Sequence, residues 1–247
     1  MTIPRLYHPE IILPHGEVKL QGDRFHYLVD VLKIKKGEKI LLFDQTGYEY
    51  EALVAQCDGK TLYLKITARR EPEDEGLKVI LAQSLTKTKK MDFIIEKACE
   101  LGVREIIPFL SQRSTVRLAG EKRTEKRLRW QRIAQNAAKM AYRGGVPEIS
   151  ACVNFREMLS LAPPTAMKII FWEEEHKRGL KQLFLENGGR EKDTFFLVIG
   201  PEGGFGPDEI EMAKEKGFVP VSLGKRILKV ETAALVALSV LRYEKGL

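Results

Sequence analysis

From Leu77 onward, short apolar runs alternate with single amphipathic segments of helical period, and this rhythm constrains the fold more than any other feature. Strands are expected at Lys78–Ser84, Glu105–Leu110, Met167–Trp172, Phe195–Ile199 and Val219–Leu223. Helices are expected at Lys90–Leu101, Glu121–Tyr142, Gly179–Glu186, Pro207–Lys216 and Glu231–Tyr243. Strands joined through single helices form a mainly parallel sheet covered on both faces, an α/β fold. Its ligands sit at the carboxyl ends of the strands, where loops lead into helices.

Residues 1–70 follow a different pattern. Lys39–Phe43, Tyr48–Gln56 and Thr61–Thr67 read as strands, separated by turns at Gln45-Thr46-Gly47 and Cys57-Asp58-Gly59-Lys60. A short helix is expected over His26–Leu32, giving a small barrel-like β module. Between the two patterns lies Glu71-Pro72-Glu73-Asp74-Glu75-Gly76, acidic and without apolar periodicity. The expected organisation is therefore a domain at 1–70, a linker at 71–76 and a larger domain at 77–247, within the range of a 247-residue chain.

Cys57, Cys99 and Cys152 are odd in number and widely spaced, and the four histidines form no ligand spacing. Neither a disulfide framework nor a metal site is expected. No apolar run approaches the roughly 20 residues that span a bilayer, and the first ten residues lack a secretory layout. A cytoplasmic protein without membrane contact is expected. The net charge of +7 is concentrated: Arg113–Arg143 holds ten basic residues against Glu121 and Glu125. Such a patch suits phosphate neutralisation.

Three constellations carry chemistry. Phe195–Ile199 runs straight into Gly200-Pro201-Glu202-Gly203-Gly204-Phe205-Gly206, and Pro207 opens a helix. Glycines there admit positive φ and close approach of a ligand, although a tight strand-to-helix turn needs the same residues. The loop is neither GxGxxG nor GxxxxGK[ST]. Asp208 and Glu209 at the helix start disfavour phosphate, so a neutral or cationic ligand fits better. The second constellation, Leu223–Ala234, again takes a strand through a short loop into a helix that is apolar almost all round. That helix is either a core element or a subunit contact. The third is the basic helix. At about 100° per residue, Trp130, Ile133, Ala134, Ala137, Met140 and Ala141 share one arc, and Arg129, Arg132, Asn136, Lys139 and Arg143 an adjacent, acid-free one. Nucleic-acid contact explains that stripe better than a plain solvated face.

These segments resemble the SPOUT superfamily of knotted methyltransferases, and within it the RsmE-like enzymes that methylate uridine N3 in 16S ribosomal RNA. The resemblance runs through Ile3-Pro4-Arg5, Met91–Ala98 with Glu100-Leu101-Gly102-Val103, Arg113-Ser114, Trp130–Ala134, Arg143 with Val146–Ile149, Ile199–Gly204 and Leu223–Ala233. It departs from the family pattern at Gln112, Met140, Ala141 and Lys229. It implies a PUA-like RNA-binding β-barrel followed by a SPOUT domain tied in a trefoil knot, an exception to the rule against threading. It also implies a homodimer that acts on 16S ribosomal RNA or the small ribosomal subunit.

The cofactor so implied is S-adenosylmethionine, held by Ile199, Gly200, Glu202, Gly203, Gly204, Leu223, Gly224, Ile227 and Leu228. Arg5, Arg129, Arg132, Lys139 and Arg226 are the expected RNA contacts. Uridine N3 is a poor nucleophile until its proton leaves, so the site must align the base and stabilise a developing anion. Arg143 and Arg113 are the catalytic candidates, with Glu202 or Glu231 as hydrogen-bonding partners; clamping phosphate is their alternative role. The Asn-x-x-x-Arg and Ser-Leu-Asn-Val-Ser motifs of the ribose 2′-O branch are absent. An RNA-binding assembly factor without chemistry is the rival of a different class, and cofactor binding separates the two.

Overall fold

The computed structural model describes residues 3–71, 76–116, 120, 122–186 and 191–246. Residues 72–75 of the expected linker, Arg117 of the basic stretch, Glu121 of the expected helix and Leu247 lie outside the described residues. The chain divides into two compact units, Met1–Glu73 with Ala138–Val146, and Asp74–Ala137 with Pro147–Leu247.

The first unit holds β1 (Arg5–Tyr7), β2 (Glu17–Leu20), α1 (Asp23–His26), β3 (Lys39–Phe43), β4 (Glu49–Cys57) and β5 (Leu62–Arg70). The sheet order is β1-β3-β4-β5-β2, with β1 parallel to β3 and the other pairs antiparallel. Alternation along β4 and β5 sends Tyr50, Ala52, Val54, Leu62, Leu64 and Ile66 inward, onto Leu28, Ile40 and Leu42. The helix expected over His26–Leu32 is different. After α1 the chain widens into a π turn at Tyr27–Val31, closed by the Leu32 amide on the Tyr27 carbonyl at 3.0 Å.

The second unit contains β6 (Lys78–Ser84), α2 (Thr88–Glu100), β7 (Glu105–Leu110), α3 (Lys122–Met140), β8 (Glu148–Ile149), β9 (Val153–Asn154), α4 (Phe155–Ser160), β10 (Met167–Phe171), α5 (Leu180–Glu186), β11 (Thr194–Ile199), α6 (Pro207–Glu215), β12 (Val219–Val221) and α7 (Val230–Glu244). The last residues of α3, from Ala138, count with the first unit. The sheet runs β12-β10-β11-β6-β7-β8, with β9 on β7, and every pair is parallel. Phe195–Ile199 of β11 is buried without a break because both faces are covered. Phe196 and Val198 join the core beneath α4 and α6, while α7 packs against β11, α2 and α5 on the other side. The periodicity reading missed α4, yet its start is legible in Asn154-x-x-Glu157. Asn154 Oδ1 accepts from the Glu157 amide at 2.9 Å, and Glu157 Oε2 accepts from the Asn154 amide at 3.0 Å.

The apolar arc expected on α3 is corrected at its end. Trp130, Ala134, Ala137 and Ala138 are buried, whereas Met140 is 74% exposed. The helix stops at Met140 and Tyr142 adopts φ 54°, so helical periodicity no longer places the residues beyond.

Arg5 explains why Ala138–Val146 belongs to the first unit. It is only 4% exposed. Its Nε donates to Glu49 Oε2 at 2.7 Å and its Nη1 to the carbonyls of Ala138 and Lys139 at 3.2 and 3.4 Å. Its Nη2 donates to the Arg143 carbonyl, and the guanidinium lies 3.9 Å from the Phe43 ring centroid. The last carbonyls of a helix lack intrahelical donors, and this side chain supplies them. The expectation that Arg5 contacts RNA therefore fails, since the group is buried and committed to internal acceptors. Arg5→Met should lower the stability measured by urea unfolding by about 3–5 kcal/mol, the scale of a broken buried ion pair. Arg5→Lys should recover only part, because an ammonium lacks the planar fork.

Candidate active site

The loops after β10, β11 and β12 line one cleft of about 660 Å³, within the range of small-molecule sites. β11 lies between β10 and β6, and the chain leaves β6 and β11 toward opposite sides of the sheet, which is where ligands of such sheets bind. Ile199, Gly200, Glu202, Gly203, Gly204, Leu223, Gly224, Ile227 and Leu228 all line the cleft, together with Arg226. Sequence reasoning missed Phe171 at the end of β10, Trp172, Glu173 and His176 after it, and Lys90 on α2. The first four were findable, because β10 was expected and the carboxyl ends of parallel strands mark the ligand face. Lys90 carried no signal beyond its place in the basic run before Met91.

The glycines differ in what they permit. Gly204 and Gly224 take φ of +67° and +111°, but Gly203 is not in the left-handed region. A Cβ on Gly203 would lie 3.2 Å from Arg113 Cβ, and one on Gly204 would meet the Glu173 carboxyl group, 2.8 Å from its Cδ. The positive-φ role expected of Gly203 and Gly204 together thus belongs to Gly204. Gly206 is pinned from outside the loop. A Cβ there would lie 2.6 Å from Gln112 Oε1.

Polar groups set the charge of the cleft. Glu202 Oε1 accepts from the Thr86 hydroxyl and lies 3.3 Å from Lys90 Nζ, which is also 3.6 Å from Glu231 Oε2. Glu202 and Glu231 thus stand with Lys90, where arginine partners were expected. Partial burial works against ionising Glu202. The Thr86 hydroxyl, its own backbone amide and Lys90 more than offset this, so its pKa lies below the ordinary carboxylate value. Among the described residues, Glu231 Oε2 and Trp172 Nε1 are buried without a hydrogen-bond partner. No group of three or more His, Cys, Asp or Glu side chains among them is placed to hold a metal ion.

The catalytic and RNA candidates sit as follows. Arg113 is exposed, and its Nη1 donates to the Gly203 carbonyl at 3.2 Å. Arg143 belongs to the first unit, where Lys139 Nζ also stands 4.4 Å from the Tyr27 ring centroid. Arg132 is exposed on α3. Arg129 is exposed too, but Asp92 of α2 lies 2.5 Å from its Nη2. The stripe is acid-free on its own helix and is partly neutralised by the next.

A family model described as an RNA methyltransferase domain matches residues 73–242, and one described as an RNA methyltransferase PUA domain matches residues 20–67. Ribosomal RNA small subunit methyltransferase E of Bacillus subtilis (strain 168) is 33% identical over 231 residues, covering 92% of this chain and 90% of the relative. The chain belongs to the ribosomal RNA small subunit methyltransferase E family. Its relative of that name from Mesomycoplasma hyopneumoniae (strain 232) is 34% identical, over 83% of this chain and 85% of that one. The crystal structure of the family member from Neisseria gonorrhoeae, bound to S-adenosyl methionine, superposes with a TM-score of 0.86 at 30% identity, over 98% of both chains.

The Glu202 network gives a pH test. A carboxylate with a lowered folded pKa contributes stability above its unfolded pKa and loses it as pH falls through the folded value. Thermal midpoints of wild type and Glu202→Gln should differ at neutral pH, and the gap should close only below the ordinary carboxylate range. A gap that does not change with pH would assign the effect to packing.

Proposed function

We propose that this chain transfers a methyl group from S-adenosylmethionine to N3 of a specific uridine in 16S ribosomal RNA of the small subunit. The observation that carries the reading is the cleft, which gathers both signature loops at the carboxyl end of a parallel sheet in a member of this family. Its residues fit the cofactor. Phe171, Ile199, Leu223 and Leu228 offer apolar wall for a ring system, and Glu173 and Glu202 offer carboxylates to cationic groups. Gly204 and Gly224 keep the backbone open.

When bound, S-adenosylmethionine supplies a methyl group already activated on a sulfonium. The chain's own task is to orient the uracil and offset the negative charge that develops as N3 loses its proton. Arg113 is the first candidate for the second role and Arg143 the other. Replacing the responsible arginine by Ala should lower kcat by roughly 10²–10³-fold and leave cofactor affinity nearly unchanged.

Arg132, Arg129, Lys139 and Arg226 are proposed RNA contacts in a cytoplasmic enzyme. Removing Arg132 should reduce the slope of log affinity against log salt by about one unit; an unchanged slope would exclude it. We also propose the homodimer and the trefoil threading that the resemblance implies. In support of the dimer, Leu235, Val236 and Val240 of α7 are only half-buried, and Tyr243 is 79% exposed. A fully active monomer in sedimentation at micromolar concentration would refute it.

Calorimetric titration with S-adenosylmethionine tests the core of the proposal. Wild type should bind. Gly204→Ala should lose binding, with a backbone penalty of about 1–3 kcal/mol on stability. Gly203→Ala should cost less, because residue 203 is outside the left-handed region and the nearest atom, Arg113 Cβ at 3.2 Å, need give only slightly. Nucleoside mapping of 16S ribosomal RNA from a deletion strain should show one missing N3-methyluridine.

A further inference from the structure

Among the described basic side chains lining the cleft, Lys225, Arg226, Lys229 and His176 are exposed and Lys90 alone is half-buried. It reaches the cleft from the first turns of α2. Its Nζ lies 3.3 Å from Glu202 Oε1, on the loop after β11, and 3.6 Å from Glu231 Oε2, in the first turn of α7. Glu231 Oε2 is buried and has no hydrogen bond, so its nearest described counter-charge is this ammonium. Glu202 has a second donor in Thr86, and Glu231 does not. One cation is thus shared by two carboxylates, one on the loop after β11 and one at the start of α7, where the loop after β12 ends. Without it, two like charges would face each other where water screens them only partly, and they would repel.

We propose that Lys90 is a positioning residue for cofactor binding, acting through Glu202 and Glu231 to hold the two loops at the spacing the cofactor requires. This rests on the S-adenosylmethionine reading given above. The role differs from contact with the cofactor. A contact would be lost with Lys90 whatever its neighbours carry, whereas a counter-charge becomes dispensable once one carboxylate is neutral.

The test is a double-variant cycle on the full chain, read by calorimetric titration with S-adenosylmethionine and by thermal unfolding of the ligand-free protein. Lys90→Met should weaken binding by roughly tenfold or more, the scale of coupling between contacting charged groups. In the Glu231→Gln background the same replacement should cost less than about twofold. Lys90→Arg, which keeps the charge, should bind within about threefold of wild type. In the ligand-free protein the drop in melting temperature caused by Lys90→Met should likewise shrink when Glu231 is Gln. Equal losses in both backgrounds would overturn the proposal in favour of direct contact, and so would an Arg variant as weak as Met. Wild-type affinity in Lys90→Met would overturn it outright. Abolished binding in Glu231→Gln alone would also do so, by making Glu231 the cofactor's own ligand. If wild type itself fails to bind S-adenosylmethionine, the functional reading falls instead.

Discussion

The site depends on one buried carboxylate. Glu209, 6% exposed, sits in the first turn of α6. Its Oε2 accepts from the Gly206 amide and the Ser111 hydroxyl, both at 3.0 Å, and its Oε1 accepts from the Gln112 amide at 3.0 Å. A buried carboxylate is tolerated only with its lone pairs satisfied, and three donors from two loops satisfy this one. The consequence is geometric. The loop after β7 is locked to the Gly-rich loop after β11, which brings Arg113 against Gly203.

From that lock the rest of the cleft follows. Phe205, 2% exposed, turns back into the core against Phe155, and a Cβ on Gly200 would lie 2.9 Å from its ring. The Gly-rich loop is thus held from beneath by Phe205 and at its side by Glu209. Its one residue in the left-handed region, Gly204, faces Glu173 of the loop after β10. What remains exposed to the cleft is Glu202, and its partners Thr86 and Lys90 come from the segment after β6. Packing in this unit fixes the loops first and the polar groups second. A ligand meets a preformed wall on the β11 side and a more exposed one at residues 224–227.

Arginine has two opposite uses in this chain. Arg5 is buried and ends α3 by donating to its carbonyls, so it behaves as part of the fold. Arg132 and Arg113 are exposed on the surface of the second unit. Their local settings differ, Arg5 among Ile3, Pro4, Leu6 and Tyr7, Arg113 between Gln112 and Ser114, and Arg132 in the basic stretch, but none of them names the partner. Burial separates them, and burial is a property of elements distant in the chain.

The sequence by itself determined the alternation of strands and helices, the bounds of β6 and β7, and the two loops that share the cleft. These features are local: apolar period, glycine and proline placement and helix-start residues act within about ten positions. Only the tertiary structure decided which charges pair. Glu202 and Glu231 meet Lys90 rather than an arginine, Asp92 meets Arg129, Glu209 joins two loops, and Arg5 is enclosed. The physical reason is range. A side chain's charge is compensated by whatever folding brings within about 4 Å of it, and in these contacts the two residues are between 37 and 141 positions apart.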